Sequence, residues 1–539
     1  MGGRRRAALV CALALATGSA PDTLASQSPA GQKPSATFRS GTRLISVSVV
    51  VRDDRGRPVS GLTADDFQLA EDGKTQTIAF FTEQTRVTAS APPPTAPTGT
   101  FTNRVDAVAE SGVTIILFDR LNTRDTDQQQ ARDHVIKFLR QVNPDDRIGF
   151  YLLDGAGLSV LHDFTRDAAS LLRALNRVSA PTSGALEGSE TTLTLPGEEV
   201  DPKLLAMIER SEQAVRGFYM QQRAENTAAA LEALGMRLAG VKGRKTIVWL
   251  SSGFPLVFSD GISLQNMSPE VMQATRALSS SDVAIYPVDA RGLVSAFATA
   301  PGARNPQFTT LSTVMGNLDA SQLLAEQTGG RAFAHTNDLG TAIARAIDDT
   351  SHSYVIGYYP INERWDARFR KIKVEVRNRK AVVRHRSGYF AHPGVAPTAA
   401  TRRNAVLSAL HSPLDATAVP FSVHAAPGPS ANEITLTVRL EPGALSFRRD
   451  GDRWGGRLDV AIGQGLPDGR VFASADKTVP LSFTTQERDA VLADGLTLSQ
   501  SFTVRDDAHQ VRIVVRDDAS DQVGSLTIPA ARLRQPRDP

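Results

Sequence analysis

Three short, mostly apolar runs constrain this chain more than any other feature. Val113–Phe118, Lys245–Leu250 and Val283–Val288 lack the in–out alternation of a half-exposed strand, so each reads as a strand covered on both faces. Helical patterns lie between them. Residues 125–142 place Val135, Ile136, Phe138, Leu139 and Val142 on one side, and further helical stretches run over 201–238, 269–278, 321–327 and 339–347. Thr165 is placed to cap another helix, through Leu171, Leu172, Leu175 and Val178. Arg147–Leu153 and Leu158–Phe164 are strand-like, and Ser353–Tyr358 is expected as the last core strand. Strands separated by helices at this spacing call for right-handed crossovers. They predict an α/β fold with a doubly wound, mainly parallel, Rossmann-like sheet.

Both flanks read as β structure. Leu44–Val51 alternates β-branched residues, and Glu71-Asp72-Gly73-Lys74 is hairpin chemistry before Thr77–Phe81, which predicts a small N-terminal β module over 41–85. It is too small to hold a core alone and must pack on a neighbour. Residues 86–111 contain Ala91-Pro92-Pro93-Pro94-Thr95-Ala96-Pro97, a stiff linker, and 393–404 read as a second linker. From 405 to 533 short strands parted by Gly and Asp turns predict a C-terminal, Ig-like β-sandwich.

The chain opens like a secretory leader. Arg4–Arg6 precede an apolar stretch from Ala7 to Ala16, and Thr23-Leu24-Ala25 offers a small-residue cut, giving a signal peptide over 1–25 and a disordered segment over 26–40. Lys+Arg is 60 against Asp+Glu 57. Without Arg4, Arg5, Arg6 and Asp22 the balance is 57 against 56, so no basic field remains for nucleic acid. Cys11, inside the leader, is the only cysteine. The chain beyond the cut therefore excludes disulfides, zinc–thiolate sites, iron–sulfur clusters and cysteine nucleophiles. No later stretch reaches about 18 apolar residues, so no transmembrane segment is expected after cleavage. The expected location is exported: periplasmic, cell-surface or extracellular.

In an open α/β sheet, ligands bind beyond the carboxyl ends of the strands, and Asp119 sits there. Asp119-Arg120-Leu121-Asn122-Thr123 resembles the D-x-S-x-S motif of von Willebrand factor type A (VWA) domains. Gly243–Phe254 is similar to that family's fourth-strand segment. Leu62–Phe67 with Glu71-Asp72-Gly73, and His352–Pro360 with Arg370–Val374, are similar to modules of an exported bacterial subgroup, the VWFA-related proteins of acidobacterial type. The resemblance spans about residues 40–392, within an α/β domain placed at 112–392. It implies a metal-ion-dependent adhesion site holding Mg²⁺ or Mn²⁺ on hard oxygen ligands, with an open position for a partner's acidic residue. The metal ligands it implies are Asp119, Thr123, Glu225 and Ser252, the last with Ser251 as an alternative. Leu121 stands where the motif has its first serine, Glu225 where a later loop has a threonine, and Ser252 where the distal aspartate falls. The site is therefore degenerate. Without metal, Asp119 would cap the following helix.

Asn122, Asp154 and Asp289 are candidate partner-binding positions at the same sheet edge. The long loops 179–200 and 293–317 are expected to border it. No G-x-S-x-G elbow, P-loop or dinucleotide fingerprint occurs, and nothing assembles a nucleophile, base and oxyanion hole. The expected function is an exported adhesion or scaffold protein that binds an unknown protein partner and is not an enzyme. The alternatives are a metal-independent structural or secretion-associated envelope component, and a cryptic metal-dependent hydrolase.

Overall fold

The computed structural model describes residues 44–85, 99–104, 112–178, 201–241, 243–253, 257–259, 264–266, 268–291, 320–334, 338–377, 380–391, 398–430 and 432–534. The expected leader, the 26–40 segment, the proline run and the loops 179–200 and 293–317 lie outside them. The described chain forms a mixed α/β structure with several sheets.

The central sheet has five strands in the spatial order Val283–Asp289, Lys245–Ser251, Val113–Asp119, Ile148–Asp154, Gly157–Thr165. The first four are parallel and the last is antiparallel. Every residue of the three apolar strands is buried, because the strand period of two sends alternate side chains into two separate cores. Ile115, Leu117, Ile247, Trp249 and Ile285 pack against the helices Pro202–Leu238 and Ser268–Ser280. Ile116, Phe118, Val248, Leu250 and Tyr286 pack against Asp125–Leu139, Ala168–Asn176 and Leu339–Ser351. The cap of Ala168–Asn176 is Asp167, which accepts from Ala169 N at 2.9 Å, rather than Thr165.

Ser353–Tyr358 does not join this sheet. His352–Tyr358 runs antiparallel between Ile45–Arg52 and Ile78–Thr85. The reason is local: Leu339–Ser351 passes into this strand with no loop residue between them, so the chain continues away from the sheet instead of reversing into it. Phe67–Glu71 likewise pairs with Phe369–Val376. The two resulting sheets share one core, which includes Val47, Val49, Phe67, Leu69, Tyr354, Ile356, Ile372 and Val374. The expected boundaries at 41–85 and 112–392 therefore shift. Segments 44–85 and 352–391 are one β unit, and the α/β domain is inserted between its halves.

The linkers shift too. Thr100–Thr102, within the expected linker 86–111, pairs with Phe421–Pro427, and Asn103 holds it there. Its amide donates to the carbonyls of Ala416 and Val419 and accepts from Phe421 N, each at 2.9 Å. Residues 393–404 are not wholly a linker, because the helix Ala399–His411 begins there and packs Val406, Ala409 and Leu410 on Ala461 and Val514. The C-terminal unit consists of two antiparallel sheets around one cluster that includes Phe421, Leu436, Leu458 and Ile513.

Both flanking units attach near the edge where the parallel strands begin. Asp349, buried on Leu339–Ser351, accepts from Arg52 at 2.6 Å, from Arg384 at 3.2 Å and from the Tyr286 hydroxyl at 2.9 Å. Arg244 donates to the same hydroxyl at 3.2 Å. On the C-terminal side Thr417 bonds Gly240 N and Arg237 O, and a Cβ at position 240 would overlap the Thr417 carbonyl.

Removing one partner of a buried ion pair strands the other charge. Asp349→Asn should therefore cost about 3–5 kcal/mol in urea unfolding, whereas Asp348→Asn, at a half-exposed side chain, should cost under about 1 kcal/mol. Burial pushes the Tyr286 phenol from 10.0 to about 12. A raised phenol stabilises the fold fully below the ordinary value and loses that contribution as pH climbs toward the folded one. Stability measured across pH 10 to 12 should fall, with a shallower fall in Tyr286→Phe.

Candidate functional site

The strand order reverses between Val113–Asp119 and Lys245–Ser251. From the first the chain moves to Ile148–Asp154 on one side, and it later returns to Lys245–Ser251 on the other. Asp119 and Ser251 close these two strands, so they flank the switch point at which open α/β sheets bind ligands.

The turn after Asp119 is set by one acceptor. Arg120 N and Leu121 N both donate to Leu153 O, at 2.8 and 3.1 Å. Leu121 is then fully buried in the core beneath, and this brings Asn122 back over the strand end. Asp119 is 1% exposed. Its Oδ1 accepts from Asn122 N at 3.0 Å. Its Oδ2 accepts from Asn122 Nδ2 at 2.8 Å, Trp249 Nε1 at 3.0 Å and Ser251 Oγ at 2.7 Å. A second ring of bonds surrounds this one. Asn122 Nδ2 also donates to Thr227 Oγ1 at 2.8 Å, Thr227 donates to Arg223 O at 2.7 Å, and Arg223 Nε donates to Asn122 Oδ1 at 3.1 Å. Burial pushes the Asp119 carboxyl above the ordinary aspartate range, against the pull of the Asn122, Ser251 and Trp249 donors.

Of the four expected ligands, Asp119, Thr123 and Ser252 lie together. Ser252 N donates to Thr123 Oγ1 at 3.2 Å, and Gln128 Nε2 holds the Thr123 carbonyl at 2.6 Å. Glu225 does not join them. It is exposed and accepts from Gln221 at 2.7 Å on the outer face of its helix. Two residues along an α-helix turn a side chain by about 200°, so Thr227 faces the cluster and Glu225 faces away. Glu225 therefore does not take the place expected of it, and the side chain of this helix that reaches Asn122 is Thr227. Asn122, expected at a partner surface, is buried and serves as the hub of the network. Asp154 is half-buried and accepts from Ala156 N at 2.9 Å as a turn former. Asp289 is buried and accepts from Arg291 N, Nε and Nη2 at 3.0, 2.9 and 2.9 Å. Trp249, Arg223 and Thr227 escaped sequence reasoning. The only trace was the four-residue spacing of Arg223 and Thr227, which puts both on one helix face.

These residues do not fit the implied Mg²⁺ or Mn²⁺. A hard divalent ion takes about six oxygens, several of them carboxylate or water. Here the one carboxylate already accepts from four donors, three of them on Oδ2, Asn122 turns its NH₂ toward it, and Leu121 offers no ligand. The Arg223 guanidinium already supplies a positive charge on the far side of Asn122. Among the described residues no three His, Cys, Asp or Glu side chains could hold a metal ion. The arrangement ties strand ends to a helix.

Asp119→Ala should cost about 3–5 kcal/mol in urea unfolding, because it leaves the Trp249, Ser251 and Asn122 donors buried without an acceptor. It should also change the Trp249 fluorescence of the folded state. Glu225→Ala should change stability by less than about 0.5 kcal/mol. A large loss in Glu225→Ala would contradict the helix orientation described above.

No family profile matches the chain, and no curated protein matches it. Among solved structures, the crystal structure of the SpRpn10 VWA domain is similar to 43% of this chain and 94% of that chain, at 13% identity and a TM-score of 0.20. A match at that level fixes neither family nor function.

Proposed function

We propose that this chain is an exported adhesion or scaffold protein whose α/β domain works as a metal-independent binding module. In this reading the central sheet has the doubly wound VWA arrangement of the VWFA-related, acidobacterial-type proteins, and the two C-terminal sheets form an Ig-like sandwich. Metal independence in this reading rests on one observation: the carboxylate at the switch point is buried and accepts four hydrogen bonds from its own chain. A group so engaged is not available to a partner's cation or to substrate. The expected adhesion site has become a structural clamp, and any partner meets the surface that the clamp supports. Catalysis has no place in this function. The helices offer no membrane route, since none among the described residues is long and apolar enough to cross a bilayer.

Two measurements test the reading. Thermal unfolding with EDTA and with Mg²⁺ should give midpoints within about 1 °C, because an ion that binds only the folded state would raise the midpoint by mass action. Capture of partners from the native cell envelope should likewise be equal in both conditions. Loss of capture in EDTA with recovery in Mg²⁺ would overturn metal independence. Export is tested separately: amino-terminal sequencing of the protein recovered from its source should begin at Ser26.

A further inference from the structure

A cleft lined by residues of all three units, and not by Asp119, lies at their junction. It holds about 740 Å³, within the ~300–1,000 Å³ typical of small-ligand sites, which favour such junctions. The β unit contributes an aromatic wall. Phe369 and Phe390 meet edge to face at 5.2 Å, and Trp365 lies 6.2 Å from Tyr389. Phe369 is 39% exposed, an unusual surface position for a phenylalanine that the fold does not need to bury.

The rest of the lining is polar and balanced in charge. Arg276, on Ser268–Ser280, lies 5.8 Å above the Phe390 ring and donates Nε to Met272 O. Arg386 donates to the carbonyls of Ser279 and Ser46, at 3.0 and 2.6 Å. Neither guanidinium forms an ion pair among the described residues. The two lining carboxylates are engaged by neutral donors, Glu232 by Gln273 at 3.0 Å and Asp282 by Ser48 at 2.5 Å. Gln522 adds an amide from the C-terminal unit.

Two cations and two anions leave the cleft without net charge, yet rich in planar groups that donate or accept in pairs. A charged ligand would meet one repulsive pair for each attractive one. A purely apolar ligand would leave the polar wall desolvated and unpaired. The complementary ligand is uncharged, carries adjacent hydroxyls that both donate and accept, and has a C–H face for the exposed Phe369 ring. We propose that this cleft binds a short, neutral oligosaccharide.

Isothermal titration of the full chain with cellotetraose and with chitotetraose tests the proposal. At least one should bind with a sub-millimolar dissociation constant and quench Trp365 fluorescence, a signal lost in Trp365→Phe. Phe369→Ala and Arg276→Gln, both at partly exposed positions, should keep the wild-type unfolding midpoint and weaken binding about five-fold each. Three results would overturn the proposal: no saturation with either sugar up to on the order of 1 mM, undiminished binding in both variants, or tighter binding of tetraproline than of either sugar.

Discussion

A carboxylate withdrawn from water is destabilising by several kcal/mol unless donors close around it, and this chain accepts that constraint in each of its units. Asp349 joins the α/β domain to the β unit through Arg52, Arg384 and Tyr286. Within the β unit, Glu71 accepts from Arg370 at 3.2 Å, from Tyr358 at 2.7 Å and from Tyr389 at 2.9 Å. In the C-terminal unit, Arg516 is enclosed by Asp459, Asp518 and Asp521. Asp119 completes the set. With Cys11 the only thiol of the chain, no disulfide can staple these units, and buried polar clusters provide the long-range links that join segments up to about three hundred positions apart.

The Asp349 cluster also explains the architecture. Arg52 and Arg384 come from the two halves of a β unit that the α/β domain interrupts. Both converge on the last helix of that domain, and the strand His352–Tyr358 follows without a loop. The inserted domain therefore re-enters the β unit at a defined point and orientation. The same attachment creates the cleft at the three-way junction, since its walls belong to elements that no single unit contains.

At the opposite sheet edge the chemistry is the reverse of an open site. A metal-ion site keeps lone pairs for the ion and a position for its partner. Here Trp249, Ser251 and Asn122 all donate to the one carboxylate, and the Arg223 guanidinium stands behind Asn122. One leucine, Leu121, locks the loop by inserting into the core. The apolar side chain at position 121 is thus part of the clamp.

Much of this was legible in the residues. The runs around Ile115, Val248 and Ile285 announced strands covered on both faces, and Asp119 fell at the strand end where it was expected, because burial and period are local properties of a segment. The partners of a strand are not. Ser353–Tyr358 carries the same buried pattern as the central strands, yet it pairs with Ile45–Arg52, and only the missing turn after Ser351 decided this. Thr100–Thr102 was hidden by its short length within a proline-rich stretch. Glu225 and Thr227 differ by two positions in the chain but by about 200° around a helix. Local pattern determined which segments would be strands and helices and which acid would end the first core strand. Tertiary structure alone decided which strands met, which face of the long helix turned inward, and that the acid would be sealed, because each depends on contacts between residues far apart in the chain.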